Sequence, residues 1–157
     1  MFAYYAVTMN TPDTPIIRGM MESDIDAVLI IEQASFAKPW QREHFAHEIS
    51  APHSFSFVAE HNGTIIGYVC LMSLFEEAQI LDIAVAPELR GRGIAQTLME
   101  FAETVAKGKE AELLALEVRA SNSAAIALYE RCGFVRTGIR VKYYEGRDDA
   151  VLMEKRL

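Results

Sequence analysis

The sequence predicts one α/β domain, a mixed β-sheet with helices on its faces. Three observations predict it. Two β-rich runs flank Asn62-Gly63, the pair that suits a type I′ hairpin turn because both central residues must take positive φ. A very apolar run over residues 80–86 stops at Pro87 and passes through a glycine loop into a helical pattern, as in a βαβ unit. Further strands and helices then follow one another, so antiparallel hairpins and a parallel unit must share one covered sheet.

The elements follow in order. Residues 15–18 are a short strand candidate. Ser23 is placed to cap a helix over 24–36, with acidic residues in its first turn and Ile25, Val28, Leu29 and Ile31 at helical spacing. Pro39-Trp40 breaks that pattern, and a second short helix is predicted over 41–49. Strands over 55–60 and 64–75 form the hairpin, and residues 80–86 form the next strand. An amphipathic helix over 94–107 carries Leu98, Phe101, Ala102 and Val105 on one side. Residues 113–119 read as a strand and 123–131 as a helix, with Gly133 as its C-terminal cap. Strands over 134–137 and 149–155 close the order β-α-α-β-β-β-α-β-α-β-β. The domain is assigned to residues 16–157. Residues 1–15, with Pro12 and Pro15, read as a loose leader, and Met9 is a second candidate start.

The bulk properties narrow the function. A chain of 157 residues, 51% apolar and 24% charged, is an ordinary globular protein with room for a full core. No apolar run approaches the roughly 20 residues that span a bilayer, and residues 1–7 lack the basic start and small-residue cleavage site of a secretory signal. No membrane partner is therefore expected. The net charge of -7 argues against nucleic acid as a partner and suits a cationic one, a free amine or a basic peptide, although it also serves solubility alone. Cys70 and Cys132 are far apart and in apolar company, so they read as small core residues rather than as a zinc site or a disulfide. No metal is expected, and the default compartment is the reducing cytoplasm.

The most informative run is Ile83-Ala84-Val85-Ala86-Pro87-Glu88-Leu89-Arg90-Gly91-Arg92-Gly93-Ile94-Ala95. Glycines let backbone N–H groups converge on one point, and a helix N-terminus adds its unpaired N–H groups and the positive end of its dipole. Arg90 and Arg92 add charge. The loop and the first helical turn, through Gln96, thus form a candidate pyrophosphate site. A dinucleotide-binding fingerprint would put glycine or alanine at Gln96, and a P-loop would end in Gly-Lys-Ser/Thr; neither condition is met. By themselves the glycines are equally compatible with a tight βα turn carrying two surface arginines.

A second run, Leu116-Glu117-Val118-Arg119-Ala120-Ser121-Asn122 followed by Ser123-Ala124-Ala125-Ile126-Ala127-Leu128-Tyr129, carries the candidate chemistry. Leu114, Leu116 and Val118 share one strand face, and Glu117 points to the other, in mid-strand where carboxylates are disfavoured. Tyr129 falls on a helical stripe with Ala125, Leu128 and Cys132. The plain alternatives are a solvent-facing carboxylate and a core tyrosine with its hydroxyl at the rim.

Arg90-Gly91-Arg92-Gly93-Ile94-Ala95 resembles the signature of the GNAT superfamily of acetyltransferases, Gln/Arg-x-x-Gly-x-Gly/Ala, and the likeness runs from about Ile16 to Leu157. Within that superfamily, the run from Leu116 to Phe134 is similar to bacterial enzymes that acetylate the N-terminal alanine of a small-subunit ribosomal protein. Pro39-Trp40, Ile83-Ala84-Val85, Tyr143-Tyr144 and Arg147-Asp148-Asp149-Ala150 agree with them. The resemblance implies the GNAT fold and acetyl-CoA as co-substrate. It implies that the loop amides hold the pyrophosphate, that the backbone of Ile83, Ala84 and Val85 pairs with the pantetheine arm, and that Asn122 contacts coenzyme A. It also implies Glu117 as general base, Tyr129 as general acid and a ribosomal-protein N-terminus as partner. Lys142, where relatives carry asparagine, and Gln41, where serine is common, depart from the pattern on the expected acceptor side. Acetylation of another amine (a lysine side chain, a polyamine or a drug) and a non-catalytic acyl-CoA sensor remain the alternatives. The chemistry itself needs no covalent acyl-enzyme: a carboxylate takes the amine's proton, a backbone N–H near Val85 stabilises the oxyanion, and a phenol protonates the leaving thiolate.

Overall fold

In a computed structural model, which describes residues 14–157, seven strands form one sheet flanked by four α-helices. The elements are β1 (Ile16–Gly19), α1 (Ile25–Ser35), α2 (Arg42–Ser50), β2 (Ser54–His61), β3 (Thr64–Leu74), β4 (Glu77–Val85), α3 (Ile94–Gly108), β5 (Leu113–Arg119), α4 (Ser123–Arg131), β6 (Val135–Tyr144) and β7 (Asp148–Arg156). This is the order expected from the sequence. Across the sheet the strands run β1-β2-β3-β4-β5-β7-β6, antiparallel except for the β4–β5 pair. That parallel step is spanned by α3, the crossover the glycine loop announces. The expected leader and Met9 fall almost wholly outside the described residues. Among the described residues no helix is long and apolar enough to cross a membrane.

Two apolar layers cover the sheet. On one face Leu98, Phe101, Leu114 and Met153 pack with α3 and α4; on the other, Val28, Ile31, Phe45 and Tyr68 pack with α1 and α2. The alternation along β5 shows why the strand forms: Leu114, Leu116 and Val118 are buried in the α3 layer, while Glu117 points to the α1 side. Each such buried leucine or valine contributes roughly 1.5–3 kcal/mol relative to leaving it in water. The β2–β3 turn has φ of 50° at Asn62 and 79° at Gly63, as the hairpin expectation requires.

Three local readings change. Ser23 does not cap α1. The chain makes a short 3-10 turn over Glu22–Asp24, and the Asp24 carboxylate takes the Met21 N–H at 2.8 Å. Asp24 wins because Arg18 grips it with two hydrogen bonds, at 2.8 and 2.9 Å, while also reaching Glu60 at 2.7 Å. One arginine thereby ties β1, the entry to α1 and β2 together. The second change is β6, which runs to Tyr144 rather than stopping at residue 137. It is the sheet's edge, with Val135, Ile139 and Val141 exposed, so it has no buried face to write a period-2 pattern into the sequence.

The third concerns the two departures. Lys142 and Gln41 do not line the cleft described below; both sit where the backbone makes a demand. Gln41 is the N-cap of α2, the usual place of a serine, and its N–H donates to His44 Nδ1 at 2.9 Å. Lys142 lies in the irregular stretch of β6 with φ of 51°, a conformation asparagine tolerates far better than lysine. Lys142→Asn is expected to stabilise the fold by about 1 kcal/mol, seen as a rise in Tm of about 2–4 °C. A Tm unchanged or lowered in a thermal melt would contradict this account.

Candidate active site

The site begins where the sheet comes apart. β4 and β5 pair only at Glu77, Ala78 and Gln79 with Leu113, Leu114 and Ala115, whereas β4 stays paired with β3 to Val85 and β5 stays paired with β7 to Arg119. Beyond Gln79 the two strands diverge and leave a cleft of about 1030 Å³. A β-bulge accompanies the divergence: Cys70 pairs with Asp82 and Leu71 with Ile80, so Leu81 is the extra residue.

The free edge of β4 is polar backbone. Ala86 N–H donates to the Ile66 carbonyl at 2.8 Å, on the β3 side. Backbone groups alternate along a strand, so the Val85 and Ile83 N–H groups point the other way, into the cleft. An extended ligand arm could pair there as an added strand would.

Next comes the loop. Gly91 and Gly93 have φ of 78° and 83°, values open to glycine without strain. Gly93 is the N-cap of α3 and offers no side-chain cap, and no acidic residue stands in the first turn. The first amide to find an acceptor is that of Thr97, which bonds the Gly93 carbonyl at 3.0 Å. The N–H groups of Gly91, Arg92, Gly93, Ile94, Ala95 and Gln96 have no acceptor among the described residues, which fits a pyrophosphate at the positive end of a helix of 15 residues. The two arginines differ. Arg90 folds back, donating Nε to the Val85 carbonyl at 3.2 Å and Nη2 to Ser35 Oγ at 2.9 Å, so it staples the loop to β4 and α1. Arg92 is exposed and has no acidic partner among the described residues, so it is the cation free to meet phosphate.

Across the cleft, Glu117 and Tyr129 both line the cavity. The Glu117 side chain is 19% exposed, and Arg140 Nη2 of β6 stands 3.3 Å from its Oε1. Tyr129 is 8% exposed, its ring edge-on to Phe134 with centroids 6.1 Å apart. Burial above all pushes its phenol above the ordinary value, so it keeps its proton at neutral pH. Among the described residues no group bonds the Tyr129 hydroxyl. Asn122 caps α4 by accepting the Ala125 N–H at 3.2 Å, which leaves its amide N–H groups for a ligand. Arg119 bonds Glu145 at 2.8 Å and Asp148 at 2.7 Å and lies 4.5 Å over the Tyr144 ring, fastening the β6–β7 turn beside the cleft.

The expected site residues line one cleft, except Arg92, which lies exposed between the lining residues Gly91 and Gly93, and the structure adds three that sequence reading passed over. Arg140 sits on the unpatterned edge strand. Glu32 and Asp82 are buried carboxyls that also line the cleft. A signal for them existed: each interrupts an apolar run, Val28-Leu29-Ile30-Ile31 and Ile80-Leu81, as Glu117 does. Among the described residues no group of three or more His, Cys, Asp or Glu is placed to hold a metal ion.

Comparison with known proteins bears on the same cleft. Residues 25–134 match the acetyltransferase (GNAT) family. The chain is 35% identical over 148 residues to the ribosomal protein bS18-alanine N-acetyltransferase of Escherichia coli K12, covering 92% of this chain and 96% of that one. It is 36% identical over 110 residues to the N-alpha-acetyltransferase RimI of Mycobacterium tuberculosis, 68% of each chain. The crystal structure of the ribosomal-protein-S18-alanine N-acetyltransferase from Escherichia coli superposes with a TM-score of 0.83 at 34% identity, covering 90% of this chain and 93% of that one. With the sheet parted beside a glycine-loop helix and the likeness carried through nearly the whole length of the Escherichia coli relative, the chain belongs to the GNAT family and is an acetyl-CoA-dependent N-acetyltransferase.

Proposed function

We propose that the protein acetylates the α-amino group of an N-terminal alanine on a small-subunit ribosomal protein, with Glu117 as general base and Tyr129 as general acid. The observation that carries this reading is that a carboxylate and a protonated, unbonded phenol line the one cleft into which the Val85 N–H also points. The names of similar relatives support the acceptor. Glu117 takes a proton from the amine, directly or through water, as the nitrogen attacks the thioester carbonyl. The Val85 N–H holds the oxyanion. The carbon–sulfur bond breaks, and the departing thiolate takes the Tyr129 proton, which solvent restores. Residues 91–96 bind the pyrophosphate, and the free edge of β4 aligns the pantetheine arm.

An α-amine has a reference pKa of about 7.7–8.0 against about 10.4 for lysine, so one carboxylate suffices for the former near neutral pH. A peptide with free N-terminal alanine is expected to be acetylated in preference to the same peptide blocked at its N-terminus and carrying an internal lysine. Glu117→Gln should lower kcat at neutral pH by about 10²-fold and regain part of it at high pH, where the amine deprotonates unaided. Free-thiol release on both peptides across pH measures this. Equal rates on the blocked lysine peptide would overturn the acceptor, and an unaltered pH profile would remove Glu117 from the mechanism.

A further inference from the structure

Glu32 on α1 and Asp82 on β4 are 1% and 8% exposed. Glu32 Oε1 accepts the Trp40 N–H at 2.9 Å, and its Oε2 accepts the Tyr68 hydroxyl. Among the described residues no N–H or O–H reaches Asp82 Oδ2, and the Glu32 carboxyl lies within hydrogen-bonding reach of the Asp82 side chain. Among the described residues no lysine, arginine or histidine pairs with either. Burial first, and the neighbouring Glu32 carboxyl second, push Asp82 well above the usual carboxylate range. The Trp40 N–H and the Tyr68 hydroxyl converge on Glu32 as donors.

A buried charge without a cation is costly, and both residues line the cleft. Their place in it is specific. The last paired level is Gln79 with Ala115, and the bulge at Leu81 takes up one residue, so Asp82 stands about level with Glu117. Glu117 points to the sheet face on which α1 packs. The pair and the proposed base thus face each other across the mouth of the split.

We propose that the Glu32–Asp82 pair is the anionic wall that attracts and positions the protonated amine of the acceptor opposite Glu117. The cation that the described residues do not provide is supplied by the substrate. This rests on the reading of Glu117 and of an α-amine acceptor given above. The pair acts on binding; proton removal remains with Glu117.

The test uses the full chain, acetyl-CoA, an alanine-starting peptide and its des-amino analogue, with propionyl in place of alanine, as a neutral competitor. Glu32→Gln keeps the shape and removes the charge. It is expected to raise the peptide KM about tenfold, with kcat, the acetyl-CoA KM and the inhibition constant of the des-amino peptide near parental. As a check independent of the variant's folding, the N,N-dimethylalanyl peptide, a cation that yields no stable amide, should inhibit the parent and Glu117→Gln about tenfold better than the des-amino peptide. An unmoved peptide KM in Glu32→Gln, a parallel rise for the neutral competitor, or loss of the cation preference in Glu117→Gln would each overturn the inference. A parent enzyme that leaves the alanine peptide unacetylated would instead overturn the acceptor reading, and this inference with it.

Discussion

Gly93→Val is expected to raise the acetyl-CoA requirement by about 10²-fold, the worth of one or two charge-assisted hydrogen bonds at roughly 1.5–3 kcal/mol each. Gly93 has φ of 83°, a conformation a β-branched residue resists. A Cβ at this position would meet no protein atom within 4 Å, so packing is not what excludes a side chain. What fills that space in the working enzyme is proposed to be phosphate, drawn to the amides of residues 91–96. Valine would stand between those amides and their ligand and would shift the helix N-cap. Gly93→Ala separates the two effects, since it carries most of the backbone strain and little of the bulk. It should bind acetyl-CoA better than Gly93→Val at a similar loss of Tm. Calorimetric titration of acetyl-CoA into each variant measures this, and a folded Gly93→Val with parental affinity would remove the loop from the cofactor site.

Tyr129→Phe is expected to lower kcat by about 10²-fold or more, the usual range for a lost general acid. Acetyl-CoA binding should stay near parental. Because no group among the described residues bonds the Tyr129 hydroxyl, phenylalanine orphans no partner there, and its ring can keep the edge-on contact with Phe134. Stability should therefore change little, which makes the loss of rate readable as chemistry. The pH dependence has a definite sign. Burial raises the phenol above its ordinary value of about 10, so the acid form persists through neutral and mildly alkaline pH. The parent's kcat should show no fall from Tyr129 below about pH 10. A variant that turns over like the parent would leave Tyr129 a packing residue only.

What the chain's order of residues determined by itself was local. Asn62-Gly63 specified a turn, Gly133 takes the φ of 95° expected just past a helix end, and the predicted bounds of β5 and α4 match the structure. Such features follow from φ/ψ preferences and from burial at period 2 or 3.6, which consecutive residues carry within themselves. The glycine loop belongs with them: strand, turn and helix N-terminus are contiguous, so the candidate anion site could be read before any contact was known. Only the tertiary structure decided that β4 and β5 part after Gln79, that Leu81 bulges, and that Arg90 turns inward while Arg92 stays free. It alone brought Arg140 of an unpatterned edge strand to Glu117, and Glu32 of the first helix to Asp82. These meetings depend on how strands register and helices dock across the whole sheet. The ionisation of a buried carboxyl depends on neighbours that arrive from distant parts of the chain, and a run of residues holds no record of which neighbours those will be.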